Sequence, residues 1–217
     1  MTEGKIMISN RLLIVLLVLC ALFACSEKKP SFNSGKNVVK FDATTSIGGA
    51  KGEVPAFVDT SICNIALDVS IEKEYGDIMG DSINKKYGYE TFYFSNADTS
   101  EYLKLEFHPG GTKNVFGRFV ITNFDPRPPG RKLYFSNCST FATESDVKLG
   151  ISPDELLKKK GTSYKKIIDK DIVIYSYFFS VDVRSLFYQR YRYPVYSAIY
   201  KFKYNRLIEF EFGFEYP

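Results

Sequence analysis

His108 is the only histidine of the 217-residue chain, so a histidine triad or a His-rich metal centre has little to assemble from. It precedes Pro109-Gly110-Gly111, a turn signal, with no Cys or carboxylate at ligand spacing beside it. It therefore reads as a loop residue. Gly110-Gly111-Thr112-Lys113 has the residue types of a phosphate loop, but it lacks that loop's spacing and joins strand to strand. Glu209, Glu211 and Glu215 invite an acid–base reading. Their alternation with Phe210, Phe212 and Phe214 places the acids on a solvated sheet face and the rings in the core. Asp169 and Asp171 flank Lys170 with too few oxygen donors for Ca²⁺. The sequence has no Gly-x-Ser-x-Gly, His-Glu-x-x-His or Cys-x-x-Cys, so catalysis would need a site assembled from distant positions. The chain reads as a non-enzyme with no metal and no cofactor.

Two other groups of residues could do chemistry or recognition. Of the four cysteines, Cys20 and Cys25 fall at the N-terminal apolar run, leaving Cys63 and Cys138. Two readings of that pair stay open, a disulfide of an exported domain and two buried thiols. The stretch from Arg184 to Tyr196 holds Arg184, Arg190 and Arg192 among Tyr188, Tyr191, Tyr193 and Tyr196. Tyr and Arg are enriched at interface hot spots, and Tyr rings also stack on sugars. We read this stretch as an extended hairpin or loop and as the candidate binding surface. The bland alternative is a hairpin whose rings cover a sheet with their hydroxyls in water.

What positions these residues begins with an address. Lys5 and Arg11 form a basic segment before Leu12 to Cys25, an unbroken apolar run of 14 residues. About 20 such residues are needed to span a bilayer as a helix, so the run fits a secretory signal better. It ends in Leu22-Phe23-Ala24-Cys25 and turns polar at Ser26-Glu27-Lys28-Lys29. Residues 25–53 then read as a flexible tether, with one short strand at Val38 to Phe41.

From Val54 onward, short segments alternate Tyr, Phe, Val and Ile. Tyr89 to Ser95, Tyr102 to Phe107, Phe116 to Thr122, Ile172 to Ser180, Tyr196 to Tyr204 and Leu207 to Phe214 carry the period of strands. The last two join in a hairpin at Asn205-Arg206. Ser152-Pro153-Asp154-Glu155 is a capping box that starts a helix, and Gly161 ends it. A second helix follows Ser70 with Ile71, Tyr75, Ile78 and Met79 on one face, weakened by Gly76. Leu67-Asp68-Val69-Ser70 and Leu149-Gly150-Ile151-Ser152 introduce the two helices 82 residues apart, and strands follow each. The expected fold is α+β: two tandem units, residues 54–127 and 128–217, each a short helix packed on a small antiparallel sheet. Asp125-Pro126-Arg127-Pro128-Pro129-Gly130 divides them.

The ending at Cys25 resembles the lipobox of bacterial lipoproteins. The resemblance implies cleavage after residue 24, lipidation of Cys25 and anchorage through several acyl chains, which together hold a protein on a membrane. LGISPDELLKKKGTSYKK, a Tyr-rich strand and YKFKYNRLIEFEF resemble the β-lactamase-inhibitor-like superfamily, which includes the small outer-membrane assembly lipoproteins. That resemblance implies a protein-binding scaffold of the cell envelope and transfers no catalytic residues. The formal net charge of +4 is small and spread along the chain, which together with export speaks against nucleic acid as a partner. The expected protein is a lipid-anchored envelope module, at the outer membrane, that binds an envelope or secreted protein. A surface lipoprotein that binds glycan is the alternative, ahead of an envelope hydrolase with a dispersed site.

Overall fold

Alternation of aromatic and β-branched residues builds one eight-stranded sheet in the computed structural model, which describes residues 55, 57–82, 90–108 and 111–215. All of them belong to the compact unit Lys36–Pro217. The leader, Cys25, the tether and the strand expected at Val38 to Phe41 lie outside the described residues.

Along the described chain come β1 (Ser61–Ile62), β2 (Ile65–Ala66), α1 (Glu72–Tyr75), β3 (Thr91–Ser95), β4 (Tyr102–Phe107), β5 (Phe116–Thr122) and β6 (Leu133–Phe135). They are followed by α2 (Pro153–Lys160), β7 (Lys165–Asp169), β8 (Ile172–Ser180), α3 (Leu186–Tyr191), β9 (Val195–Lys203) and β10 (Arg206–Glu215). The large sheet has the order β6-β3-β4-β5-β10-β9-β8-β7. The chain is α+β, and strands from both sides of the expected boundary share this one sheet through the antiparallel β5–β10 pair. After β5 the Pro-rich connection crosses to the far edge, where β6 pairs with β3 in parallel. Arg131 fastens that crossing by donating to the Thr91 carbonyl at 2.8 Å.

Register explains the core. Tyr134, Phe94, Leu103, Ile121, Phe210, Tyr200 and Tyr175 are successive cross-strand partners on one face. The opposite face carries the row Ser95, Tyr102, Thr122, Glu209, Lys201 and Ile174. Ile62, Ile65, Leu67, Ile71, Phe141, Val147, Ile151 and Leu156 cover the aromatic face and complete one core cluster. Phe210, Phe212 and Phe214 are all fully buried, as their alternation with the acids requires.

Local signals account for most element ends. Ser152 Oγ accepts from Glu155 N at 3.3 Å while Glu155 Oε2 accepts from Ser152 N at 2.7 Å. Both halves of the expected capping box are present. The helix after Ser70 is only one turn long, because Gly76 leaves helical space at φ 71. Gly161 ends α2 at φ 76. The last hairpin turns at Tyr204-Asn205, one residue before the expected Asn205-Arg206. Both turn residues have positive φ, the conformation that a two-residue type I′ loop demands. Strand β7 was not expected, since Lys165-Lys166-Ile167-Ile168-Asp169 at the sheet edge carries little apolar alternation.

Among the described residues, one ion pair lies inside the core. Lys160, the last residue of α2, approaches Asp59 with Nζ 2.5 Å from Oδ2, and both side chains are wholly buried. Burial pushes the Asp59 carboxyl above its usual range and the Lys160 amine below its own, each opposed by the charge of the other.

Candidate functional site

The Arg184–Tyr196 stretch is not an extended hairpin. Asp182 accepts from the Arg184 N–H, and the Ser185 hydroxyl accepts from Tyr188 N at 3.1 Å. That cap starts α3, which ends where Arg192 enters the left-handed region at φ 64. An Asp followed three residues on by a Ser cap is a turn-and-cap signal, outweighed in the sequence reading by aromatic composition.

A helix sorts these side chains by face, and most of the tyrosines go inward. Tyr191 is 7% exposed, with ring centroids 4.8 Å from Phe187 and 5.0 Å from Phe214. Tyr193 stacks on Phe214 at 4.6 Å, and Tyr188 packs half-buried against the core. Tyr196 is fully buried, accepting from the Asp59 N–H at 3.0 Å and donating to the Asp59 carbonyl at 2.7 Å. Arg184, Arg190 and Arg192 are exposed, and Arg184 pairs with Asp182 at 3.0 Å. The stretch is thus a core element with a basic outer face. Buried Tyr191 and Tyr196 offer no ring face for a sugar to stack on.

Beside α3 opens a groove of about 350 Å³. Buried Phe187 and Tyr191 and half-buried Val58 form its apolar part. Leu186, 77% exposed, and Arg190 stand at its margin. Thr60 and Glu144 supply its polar lining. Glu144 is fixed there, because one oxygen accepts from the Thr60 N–H and hydroxyl and the other from the Ser61 N–H and hydroxyl. Burial would raise its carboxyl, but the Thr60 and Ser61 backbone N–H groups outweigh burial and hold it below its ordinary range. Arg190 rests over the Tyr191 ring at 5.2 Å. Its charge also acts on Asp68, whose carboxyl burial raises against the pull of that guanidinium. The groove therefore brings apolar side chains together with a fixed carboxylate and a guanidinium.

The other sequence candidates fall elsewhere. Cys63 and Cys138 are joined as a disulfide with Cα atoms 6.4 Å apart. His108 lies edge-on to Tyr193 at 5.8 Å. Glu211 and Glu215 meet Arg118 at 3.7 and 3.3 Å on the polar face of the sheet, and Glu209 pairs with Lys201. Asp171 pairs with Lys203 at 2.8 Å. Val58, Thr60 and Glu144 were missed as site residues, because nothing local in the sequence brings residues 58–60, 144 and 186–191 together.

Comparison of the chain with protein families, with curated proteins and with solved structures finds no match.

Proposed function

We propose that this chain is a non-catalytic, lipid-anchored protein of the bacterial cell envelope, at the outer membrane, that binds another protein at the groove beside α3. An inhibitor, an immunity protein or an assembly factor would each work in this way. The observation that carries the reading is the combination at one place of exposed Leu186, the Arg190 guanidinium, the fixed Glu144 carboxylate and an apolar bed. Protein hot spots are anchored side chains in such pockets, enriched in Arg and aromatic residues and ringed by polar groups.

A tandem origin, as in two-unit envelope scaffolds, is part of this proposal, and paired features of the fold support it. Asp68 and Gly150, at matching places in the two helix entries, both have positive φ. Asp68 N donates to the Phe116 carbonyl at the start of β5, and Gly150 N donates to the Leu207 carbonyl near the start of β10. Those two strands are partners at the centre of the sheet. Gly76 and Gly161 end the two helices with nearly the same backbone angles. Three further strands flank that central pair on each side, β4, β3 and β6 on one and β9, β8 and β7 on the other, so β6, at Leu133–Phe135, joins the side of the first unit although it follows the expected boundary at 127/128.

Leu186→Asp and Arg190→Glu in the full chain should each weaken partner capture by about 2 kcal/mol, the scale of hot-spot truncations. Thermal stability should hardly move, because both side chains are exposed. Undiminished capture by both folded variants would remove the groove from the account. Separately, Cys25→Ala should abolish metabolic lipid labelling and release the protein from membranes. Equal membrane partition of mutant and wild type would refute anchorage at Cys25.

A further inference from the structure

Asp59 and Lys160 stand a hundred residues apart in sequence, yet their side chains meet with no solvent between them and the core. The approach is close but without hydrogen-bond alignment. Asp59 is held from behind, its N–H and C=O both bonded to the Tyr196 hydroxyl. Lys160 is held by its place at the end of α2, between fully buried Leu156 and the Gly161 turn. Tyr200, also fully buried, carries a hydroxyl that bonds to nothing among the described residues. The Ser145 hydroxyl and the charge of Glu144 also act on Asp59.

We propose that Lys160 Nζ and Asp59 Cγ condense into an intramolecular isopeptide bond. The free amine attacks the carboxyl carbon, forming the C–N bond and placing negative charge on a carboxyl oxygen. The half-buried Ser145 hydroxyl and the buried Tyr200 hydroxyl, both coupled electrostatically to Asp59, are the donors available to that oxygen. Collapse expels the second oxygen as water, which takes up its proton from the ammonium nitrogen. The balance is amine plus carboxylic acid to amide plus water, and no oxidant or activating group is consumed. Two features of the site drive it. Folding has already fixed both reactants, so the step proceeds at the high effective concentration of an oriented intramolecular reaction. One neutral amide also replaces two groups that are costly to bury as ions. Burial favours the uncharged amine and the protonated acid, the forms that react. The bond would clamp the segment that carries the groove residues Val58 and Thr60 onto α2.

Peptide mapping of the full chain tests this. After reduction, denaturation and trypsin digestion, the wild type should resist cleavage after Lys160. It should yield a branched peptide that joins the segments containing Asp59 and Lys160, lighter than their sum by one water, about 18 Da. Asp59→Asn should give the same branch with loss of ammonia, about 17 Da, and Lys160→Met should give none. Recovery of both linear peptides at full mass from the folded, aged wild type would overturn the proposal. Should Lys160→Met fail to fold, the wild-type and Asp59→Asn maps decide the matter by themselves.

Discussion

Tyr191→Ala is expected to destabilise the protein by about 3 kcal/mol or more, while Arg192→Ala leaves the unfolding midpoint within about 0.5 kcal/mol of wild type. The two residues are neighbours in sequence with opposite surroundings. Tyr191 is buried between Phe187 and Phe214, so truncation empties a ring-sized volume in the aromatic core. Arg192 is exposed and contributes its backbone to the end of α3. Urea titration of both variants checks the contrast. Equal, small losses would mean that Tyr191 is a surface residue and that α3 does not pack on β10.

Removal of the Cys63–Cys138 bridge has an effect of similar size. The cysteines are separated by 75 residues. In the chain-entropy model, opening a loop of that length costs about 4–5 kcal/mol through the greater freedom of the unfolded chain. The bridge ties the β1–β2 turn to the segment after β6, two regions also joined by the Ile62–Thr143 bridge, the Cys63 N–H to Ala142 carbonyl bond and the bonds from Thr60 and Ser61 to the Glu144 carboxylate. Cys63→Ser with Cys138→Ser should therefore lower the unfolding midpoint substantially, and dithiothreitol should do the same to the wild type. Two thiols reacting freely in the native, unreduced protein would show that the bond is not made.

How legible these features were in the sequence follows the range of the forces behind them. Strands β4, β5 and β8 have the residue limits that their alternation indicates, because period-2 burial is decided within each segment. The Ser152–Glu155 cap is legible for the same reason, both partners being three residues apart. Gly76 signalled a weak helix, and the structure keeps a single turn of it. What could not be read is what distant segments decide. The parallel placement of β6 beside β3 depends on where a Pro-rich crossing lands. The edge strand β7 is specified by its neighbour β8 more than by its own residues. The Arg184–Tyr196 stretch was legible as unusual but not as helical, since aromatic rings suit a strand, and the Ser185 cap signal is brief. Glu144 becomes part of a site only because Thr60 and Ser61, more than eighty residues earlier, bond to its carboxylate.

Seating of a protein partner on the groove beside α3, as proposed, is open to direct test. A photo-crosslinking amino acid in place of exposed Leu186, in the full-length chain illuminated in intact cells, decides whether a protein seats there. One dominant protein adduct is expected from position 186, disappearing when Arg190→Glu is added, with none from the same group at exposed Phe135 on the edge strand β6. Adducts to glycan, equal adducts from both positions, or an adduct indifferent to Arg190→Glu would contradict it.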